Sequence, residues 1–136
     1  MQNVSFASAW LQNSGTVNAS SYPDVDELVI ASDCLITDYS SIAFDFAIIE
    51  KAVFLYAVDT EKYIEKRGVY AVFYEQPFRL NKNMDMLLEE ITDYNREEYI
   101  ARVRRFYEKY PTFNHGDASA KTVDWLISKG LQPGTV

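Results

Sequence analysis

A run of hydroxyl and carboxylate side chains at positions 37–41, with the sequence TDYSS, is the part of the chain best suited to bind a phosphorylated ligand. Ser40 and Ser41 each offer a hydroxyl and a backbone N–H to a phosphate oxygen, and Thr37 can position the turn. Asp45 follows one helical turn after Ser41, and its carboxylate suits the vicinal hydroxyls of a sugar. These residue types therefore indicate a site for a phosphate and a neighbouring sugar.

The same residues have a simpler structural interpretation. Asp, Ser and Thr side chains that precede a helix most often act as N-caps, and the residue types alone support capping and phosphate binding about equally. Asp45 taken alone is better explained as an ordinary residue on a helix face. The binding interpretation gains weight because the turn, the helix start and Asp45 would all lie at one end of a sheet.

Apolar patterns on both sides of the turn predict the elements that position it. Cys34–Thr37 is a short apolar run typical of a buried parallel strand, in which Cys34 is expected to be a core residue. Residues 42–50 have the spacing of a buried helix, and Ala52–Tyr56 is typical of a second buried strand. Strand, tight turn, helix and strand form a βαβ unit with a right-handed crossover. Ligands bind at the carboxyl ends of the strands in open sheets of this kind, which is where the turn would lie.

Other segments of the chain add helices but few strands. Asp24 is predicted to cap a helix, with Glu27 three residues on in a capping-box arrangement. Further patterns predict helices over residues 84–92, 96–110 and 118–129, a short strand over 4–7, an aromatic-rich connection over 59–74 and a weakly structured tail over 131–136. Two or three strands are fewer than a complete doubly wound sheet contains. We therefore predict an α/β fold with a partial Rossmann-like parallel sheet, in a single domain over residues 1–130.

Charge and composition exclude several classes of function. The chain has 136 residues, with 13 Lys and Arg against 20 Asp and Glu, and a formal net charge of -7. Its first cation is Lys51, and because nucleic-acid binding needs clustered cations, the first half is not expected to bind DNA or RNA. The single cysteine, Cys34, excludes an intrachain disulfide and a cysteine-based zinc site. No stretch approaches the roughly 20 apolar residues of a membrane span.

Several segments around the turn resemble one known family. They are YPDVDELV from Tyr22, SDCLITDYSSIAFDFA from Ser32, VFLY from Val53, the residues Asp59 and Tyr63, and RGVY from Arg67. Together they closely resemble the CDP-glycerol glycerophosphotransferases, which are the teichoic acid polymerases and primases of bacterial cell walls. The resemblance covers residues 22–124 and is most specific over residues 32–46. It implies a two-domain, GT-B-type glycosyltransferase fold whose C-terminal half holds most of the nucleotide, and this chain resembles the end of that half.

The resemblance implies a role for each matched residue of the turn. Ser40 and Ser41 would hold the pyrophosphate of CDP-glycerol, and Thr37 and Asp38 would shape the turn around it. Asp45 would bind the ribose hydroxyls, by similarity to related two-domain glycosyltransferases in which an acidic residue of this helix grips the ribose. The chain would thus supply the donor site of the enzyme.

Residues outside the turn receive weaker assignments from the same resemblance. Asp24 and Glu27 would lie near the cytidine or the ribose. Arg67 is the one cation of the matched motifs that could reach a phosphate, although a salt bridge to a neighbouring carboxylate is an equally good interpretation. The family's catalytic histidines lie upstream of the matched region, and His115 is better interpreted as a loop or helix-start residue than as a catalytic base. No catalytic residue is therefore expected in this chain, which alone is expected to be inactive.

The resemblance also implies partners and a location. The chain would be part of a larger enzyme that transfers glycerol phosphate from CDP-glycerol to a lipid-linked polyol-phosphate acceptor at the cytoplasmic face of the membrane. No tightly bound cofactor and no nucleic-acid partner are expected, and Mg²⁺ could assist the binding of the donor. Two alternatives stay open, which are a non-catalytic nucleotide-binding module and a transferase that uses another donor, such as CDP-ribitol or a nucleotide-sugar.

Overall fold

Three parallel strands and their surrounding helices form the core of the region that the computed structural model describes, which is residues 15–68, 74–112 and 116–131. In chain order the elements are α1 (Val25–Ala31), β1 (Cys34–Thr37), α2 (Ile42–Ile48), β2 (Ala52–Tyr56), α3 (Thr60–Arg67), β3 (Leu80–Asn81), α4 (Met84–Thr92), α5 (Arg96–Lys109) and α6 (Ala118–Ser128). The predicted strand over residues 4–7 lies outside the described residues, as does all of the predicted tail except Leu131.

The strands lie side by side in the order β1, β2, β3, and both neighbouring pairs are parallel. Leu35 of β1 is level with Val53 of β2, and Leu55 of β2 is level with Leu80 of β3. The predicted α/β class with a partial parallel sheet is thereby confirmed. β3 was not predicted, because two residues that include the polar Asn81 give no apolar run.

Helices cover both faces of β2. Val53 and Leu55 point into a core formed with α2 and α5, which includes Phe46. Ala52 and Phe54 point to the opposite face, where Leu87 of α4 packs against them. The strand is buried on both sides, which explains why it reads as a continuous apolar run.

The first strand differs from its prediction. β1 alternates between exposed and half-buried positions, and Ile36 keeps 53% of its surface exposed. Leu35 packs against the core on the α2 side, whereas Cys34 is exposed and is not the core residue that its apolar neighbours indicated. The cause is position in the sheet, since β1 is an edge strand of the described sheet and pairs only with β2 there.

The connection after β2 contains a helix that its sequence did not predict. α3 covers Thr60–Arg67, inside the aromatic-rich segment over residues 59–74. Its sequence, TEKYIEKR, is mostly charged and carries too few apolar residues to show a helical period, although Glu, Lys and Arg favour helices. Gly68 ends it with φ 66° and ψ 164°, a conformation that side chains other than hydrogen disfavour strongly.

The remaining helices agree with the sequence to within two residues at each end, and asparagines cap two of them. The side chain of Asn83 accepts a hydrogen bond from the N–H of Met86 at 2.9 Å, at the start of α4. Asn95 does the same for the N–H of Glu98 at 3.1 Å, at the start of α5. These bonds satisfy N–H groups that have no partner within a helix, and so they set where each helix begins.

A lysine joins the end of α1 to the start of β2. The Nζ of Lys51 donates to the backbone carbonyls of Val29, Ile30 and Ser32 at 3.1, 2.5 and 2.7 Å. A cation is favourable at the C-terminal end of a helix, where carbonyl groups lack helical partners. Because Lys51 immediately precedes β2, these bonds hold the C-terminal end of α1 at the amino edge of the sheet.

Candidate functional site

The turn after β1 presents two serine hydroxyls to solvent. Ser41 occupies the N-cap position of α2 with φ -64° and ψ -18°, but its side chain accepts no capping hydrogen bond. The Oγ of Ser40 lies 3.5 Å from the N of Ile42, which is the long limit for a hydrogen bond. Both serines are exposed. The capping interpretation therefore does not account for the Ser41 hydroxyl.

The middle residue of the turn is held by α3. The hydroxyl of Tyr39 donates to Asp59 Oδ1 at 2.9 Å and lies 3.3 Å from the Oγ1 of Thr60. Its ring stacks on Tyr63, with ring centroids 3.7 Å apart and an angle of 12° between the planes. Thr60 is itself fixed, since its buried hydroxyl donates to the carbonyl of Ala57 at 2.7 Å. The turn is thus connected to the carboxyl end of β2 through one aromatic side chain.

The Tyr39 phenol, protonated at neutral pH at its ordinary pKa of 10.0, holds its proton more tightly in these surroundings. Burial raises its pKa, the hydroxyl of Thr60 opposes that change, and the hydrogen bond and charge of Asp59 raise the pKa further, with a smaller contribution from Asp38. A protonated phenol can donate to the Asp59 carboxylate, whereas a phenolate would repel it. The link between the turn and α3 is therefore intact at neutral pH.

Arg67 lies on the same side of α3 as the residues that contact the turn. Asp59, Tyr63 and Arg67 are spaced four residues apart, and residues at this spacing are neighbours along a helix. Arg67 is exposed, and it forms no salt bridge with a carboxylate of the described residues. The salt bridge that was the alternative interpretation is thus not found within residues 15–68, 74–112 and 116–131. The last two residues of its motif, Val69 and Tyr70, lie outside those ranges.

Asp45 lies in the first turn of α2 with its side chain exposed. It is close enough to α5 that its charge, after the larger effect of burial, raises the pKa of Tyr107. The hydroxyl of Tyr107 donates to the carbonyl of Phe44 at 3.1 Å and so holds α5 against α2 beside Asp45. The Asp45 carboxylate thus lies near Tyr107 of α5. Its binding of ribose stays a prediction.

Asp24 and Glu27, which were predicted to lie near the nucleotide, make local hydrogen bonds at the start of α1. Asp24 Oδ1 accepts hydrogen bonds from the backbone N–H groups of Asp26 and Glu27, at 2.9 and 3.3 Å, so its predicted role as an N-cap is confirmed. The Glu27 carboxylate accepts a hydrogen bond from the hydroxyl of Tyr22. Both carboxylates therefore have local structural partners, and their proposed proximity to the nucleotide stays a prediction.

Sequence reasoning overlooked the structural role of Tyr39 and its partners. Asp59 and Tyr63 were noted only as matching positions, and the Tyr and Phe residues from Tyr63 to Phe78 are predicted by their sequence to pack the connection and not to stack on a nucleobase. Tyr63 does pack, and its partner is Tyr39 of the TDYSS turn. The spacing of Asp59 and Tyr63, one helical turn apart, was the available signal, and it had no meaning until α3 was known to be a helix.

Two negative findings apply to the described ranges. They contain no group of three or more His, Cys, Asp or Glu side chains placed to hold a metal ion, so assistance by Mg²⁺ stays a prediction. None of their helices combines the length and the apolar character needed to cross a lipid bilayer. His115 lies outside the described residues, and so its predicted loop position is not tested.

Comparison with protein families and curated proteins places most of the chain in one group. Residues 5–128 match the family described as CDP-Glycerol:Poly(glycerophosphate) glycerophosphotransferase. The teichoic acid poly(glycerol phosphate) polymerase of Staphylococcus epidermidis is 34% identical over 125 residues, which are 85% of this chain and 16% of that protein. The corresponding polymerase of Bacillus subtilis is 38% identical over 112 residues, which are 79% of this chain and 15% of that protein. The chain therefore spans only a small part of these relatives.

Similar proteins include a ribitol enzyme and a solved structure. The teichoic acid poly(ribitol-phosphate) polymerase of Bacillus spizizenii is 32% identical over 111 residues, covering 79% of this chain and 17% of that protein. The structure of the wall teichoic acid polymerase TagF, which has a GT-B-like fold, matches with a TM-score of 0.65 and 32% identity, over 83% of this chain and 29% of that chain. A TagF variant soaked with CDPG matches with a TM-score of 0.63. The chain belongs to the CDP-glycerol:poly(glycerophosphate) glycerophosphotransferase family.

Proposed function

We propose that this chain supplies the donor-nucleotide site of an enzyme that transfers glycerol phosphate from CDP-glycerol to a polyol-phosphate acceptor of teichoic acid. Ser40 and Ser41 hold the pyrophosphate, Asp45 binds the ribose, and Arg67 contributes a positive charge from α3. The observation that carries the proposal is the Ser41 hydroxyl, which stands at a helix start, is exposed and makes no capping bond. Family membership over residues 5–128 supports the choice of a nucleotide as the ligand.

The reaction is a phosphoryl transfer in which this chain has a binding role. A hydroxyl oxygen of the acceptor attacks the β-phosphorus of CDP-glycerol, and the bond from that phosphorus to the bridging oxygen breaks. CMP leaves with the bonding electrons, and the hydroxyl proton passes to a general base. Hydroxyl and N–H donors at the turn stabilise negative charge on the phosphates, and they require no reorganisation when placed in advance. The general base belongs to another part of the enzyme, so the chain alone is inactive.

Calorimetric titration of the chain with CDP-glycerol tests the proposal. We expect binding, and we expect the Ser40→Ala/Ser41→Ala double variant to bind at least about tenfold more weakly, because it loses two hydrogen bonds to a charged group. Ser119→Ala, an exposed serine of α6, is the matched control and should bind as the unchanged chain does. No binding, or equal affinity in the double variant with its fold intact, would refute the donor site.

The role of Mg²⁺ is tested in the same titration. The segment around the turn carries acidic side chains and no Lys or Arg before Lys51, so the pyrophosphate meets little positive charge from this region. If a cation is what the isolated chain lacks, Mg²⁺ raises the affinity for CDP-glycerol. Equal affinity with and without Mg²⁺ would instead assign the missing charge to other parts of the enzyme.

A ribitol donor is the second candidate, because ribitol-phosphate polymerases are among the similar proteins. The turn contacts phosphates, which CDP-glycerol and CDP-ribitol share, and so it does not select the transferred group. Competition between the two donors for the chain is the direct test. A clear preference for CDP-ribitol would replace glycerol phosphate as the transferred group, whereas equal affinity would leave selection to the rest of the enzyme.

The alternative to a transferase is a module that binds a nucleotide without catalysing a reaction. The chain covers 15% to 30% of the curated relatives, which leaves most of their length without a counterpart here. Turnover by the full-length parent, measured as CMP release, separates the alternatives. We place that reaction at the cytoplasmic face of the membrane, because the nucleotide donor is cytoplasmic and the acceptors of the family are lipid-linked. CMP release supports the enzyme, and nucleotide binding without CMP release supports the module.

A further inference from the structure

A cationic cavity lies apart from the TDYSS turn, between residues 75–79 and one face of α5. Its volume is about 510 Å³, within the range of about 300–1,000 Å³ that is common for ligand sites. Arg102, Arg105 and Lys109 line it from α5, and Arg79 lines it from the opposite segment. The three α5 residues are spaced three and four apart, which places them on one side of the helix.

Positive charge in the cavity exceeds what its own carboxylate neutralises. Glu75 is the acidic residue of the lining, and it binds the ammonium of Lys109 and the hydroxyl of Tyr110. Arg79 lies 3.8 Å from Glu89, which is a weak ion pair between exposed side chains. Arg105 forms no ion pair with any carboxylate of the described ranges. The cavity thus concentrates cations in a chain whose formal net charge is -7.

Gln76 also lines the cavity, and its side chain is uncharged. Guanidinium groups bind phosphate oxygens through paired N–H donors. The arginines are therefore the groups of this lining best suited to hold a phosphate.

The floor of the cavity is apolar. Phe78 and Phe106 are both buried and line it beneath the cations. Each ring also contacts Phe44, with centroids 5.5 and 5.7 Å apart. Phe44 lies in the first turn of α2, three residues after Ser41, so one helix connects the serine turn to the cavity floor. A ligand that alternates phosphates with short carbon segments fits cations above an aromatic floor.

We propose that this cavity binds a phosphodiester unit of a polyol-phosphate chain, as a second site of the same protein. The identity of the polymer rests on the proposed function, because that function names a polyol phosphate as the acceptor. The geometry itself requires only a phosphodiester attached to a small carbon chain. The site would hold the acceptor on the unit that also holds the donor.

The test measures binding of a synthetic poly(glycerol phosphate) oligomer to the full chain. We expect Arg105→Gln to weaken oligomer binding about tenfold, because it removes a charge-assisted hydrogen bond. Gln76→Glu should weaken it by at least as much, because it keeps the side-chain volume but adds a negative charge to the cavity lining. Arg96→Gln is the matched control, since Arg96 lies on the same helix but does not line this cavity. Circular dichroism establishes that each variant is folded.

Two further probes distinguish the sources of phosphate. Inorganic phosphate and vesicles that contain phosphatidylglycerol should each bind more weakly than the oligomer at equal phosphate concentration. Binding of inorganic phosphate as strong as that of the oligomer would overturn the assignment to a polymer. Stronger binding of vesicles, lost in Arg105→Gln, would assign the cavity to a lipid headgroup and overturn the proposal as well. Equal oligomer binding by the unchanged chain, Arg105→Gln and Gln76→Glu would also overturn it.

Titration of CDP-glycerol into the same variants separates this proposal from the donor site. Arg105→Gln and Gln76→Glu should leave the affinity for CDP-glycerol unchanged. If the oligomer binds the cavity and CDP-glycerol does not bind the chain, the donor proposal fails and the second site stands. If CDP-glycerol binds and the oligomer does not, the second site fails and the donor proposal stands.

Discussion

Tyr39 links the chemistry of the serine turn to a helix that begins about twenty residues later. Its hydroxyl bonds to Asp59 and its ring stacks on Tyr63, so Ser40 and Ser41, which follow it just before α2, are held by contacts that they do not make themselves. A site of this kind depends on positioning, because a hydroxyl contributes to binding only when it already points at the phosphate. Tyr39 is therefore a positioning residue for the proposed donor site.

Removal of the Tyr39 ring should weaken donor binding without changing the groups that bind. The hydrogen bond and the stacked ring pair are each worth about 1 kcal/mol, so Tyr39→Ala should reduce the affinity for CDP-glycerol about tenfold. Tyr39→Phe keeps the stack and loses only the hydrogen bond, so it should recover about half of that loss in binding free energy. Calorimetric titration measures both variants, and Tyr63→Phe is the control because it preserves the ring pair. Equal losses in Tyr39→Phe and Tyr39→Ala would show that the stack has no positioning role.

Replacement of Lys51 should lower the stability of the fold through one identifiable set of hydrogen bonds. Its ammonium serves three carbonyls at the end of α1, and hydrogen bonds to a charged group are the stronger kind. We expect Lys51→Met to lower the free energy of unfolding by about 2 kcal/mol, measured by urea denaturation. Lys62→Met on the exposed side of α3 is the control and should change it by less than about 0.5 kcal/mol. A Lys51→Met chain as stable as the control would mean that water replaces the lysine without cost.

At the scale of elements, α3 determines where the turn and Arg67 lie relative to each other. The helix ends at Gly68, whose φ of 66° and ψ of 164° lie in a region that other residues rarely adopt. Among the described residues other than its chain neighbours, no atom lies within 4 Å of the position that a Cβ would take, so the obstacle to a side chain there is backbone strain. The glycine therefore sets the direction in which the chain leaves Arg67.

Gly68→Ala should destabilise the protein through this strain. We expect the free energy of unfolding to fall by about 1–3 kcal/mol, as measured by urea denaturation. Asn tolerates the left-handed helical region but not the extended region at positive φ, so Gly68→Asn should be no better than Gly68→Ala. If Gly68→Asn were as stable as the unchanged chain, residue 68 would lie in the left-handed helical region that Asn tolerates. The assignment of Gly68 to the extended region at positive φ would then be wrong.

The elements also show how far the sequence could predict the fold and the site. The unit of β1, α2 and β2 was predictable because continuous apolar runs flank a polar turn. The helix α3 could not be predicted, because its charged sequence carries no apolar period. The exposure of Cys34 could not be predicted either, because the position of β1 at an edge depends on the whole sheet. At the candidate site, residue types led to the proposal of the two serines, whose phosphate binding stays a prediction. The role of Tyr39 could not be predicted, since its partners Asp59 and Tyr63 come together with it only in the tertiary structure.

At the scale of the whole molecule, α5 is held to the sheet by a buried tyrosine. Tyr99 is 2% exposed, and its hydroxyl donates to the carbonyl of Lys51 at 2.8 Å. Burial is the main cause that raises its pKa above the ordinary value of 10.0. The folded chain thus holds this proton more tightly than the unfolded chain does. The contribution of Tyr99 to stability is complete below that ordinary value and is lost as the pH rises toward the pKa of the folded state.

Stability should therefore fall in alkaline solution in a manner that depends on Tyr99. Between about pH 7 and about pH 11, the free energy of unfolding of the unchanged chain should decrease more steeply than that of Tyr99→Phe, which has no proton to lose at this position. The variant should start about 1 kcal/mol lower at neutral pH, because it lacks one hydrogen bond. Urea denaturation across this pH range measures the difference between the two chains. Both chains contain the same lysines, so the titration of lysines affects both curves equally. Parallel curves for the two chains would contradict the assignment.

The two proposed sites make the whole chain a binding unit for a phosphorylated donor and a phosphorylated acceptor. Neutral donors of the turn serve the first, and the cations of α5 and Arg79 serve the second. This division explains how a chain with a formal net charge of -7 could hold two anions, because four of its cations lie together where α5 faces residues 75–79.

The central claim is that the TDYSS turn holds the pyrophosphate of CDP-glycerol, and amide chemical shifts measured by NMR during a titration test it most directly. We predict that the largest shifts fall on the N–H groups of residues 39–42, and that CMP, which lacks the β-phosphate, produces smaller shifts at the same amides. Saturable binding of CDP-glycerol that leaves those amides unchanged and shifts residues of α5 instead would contradict the account.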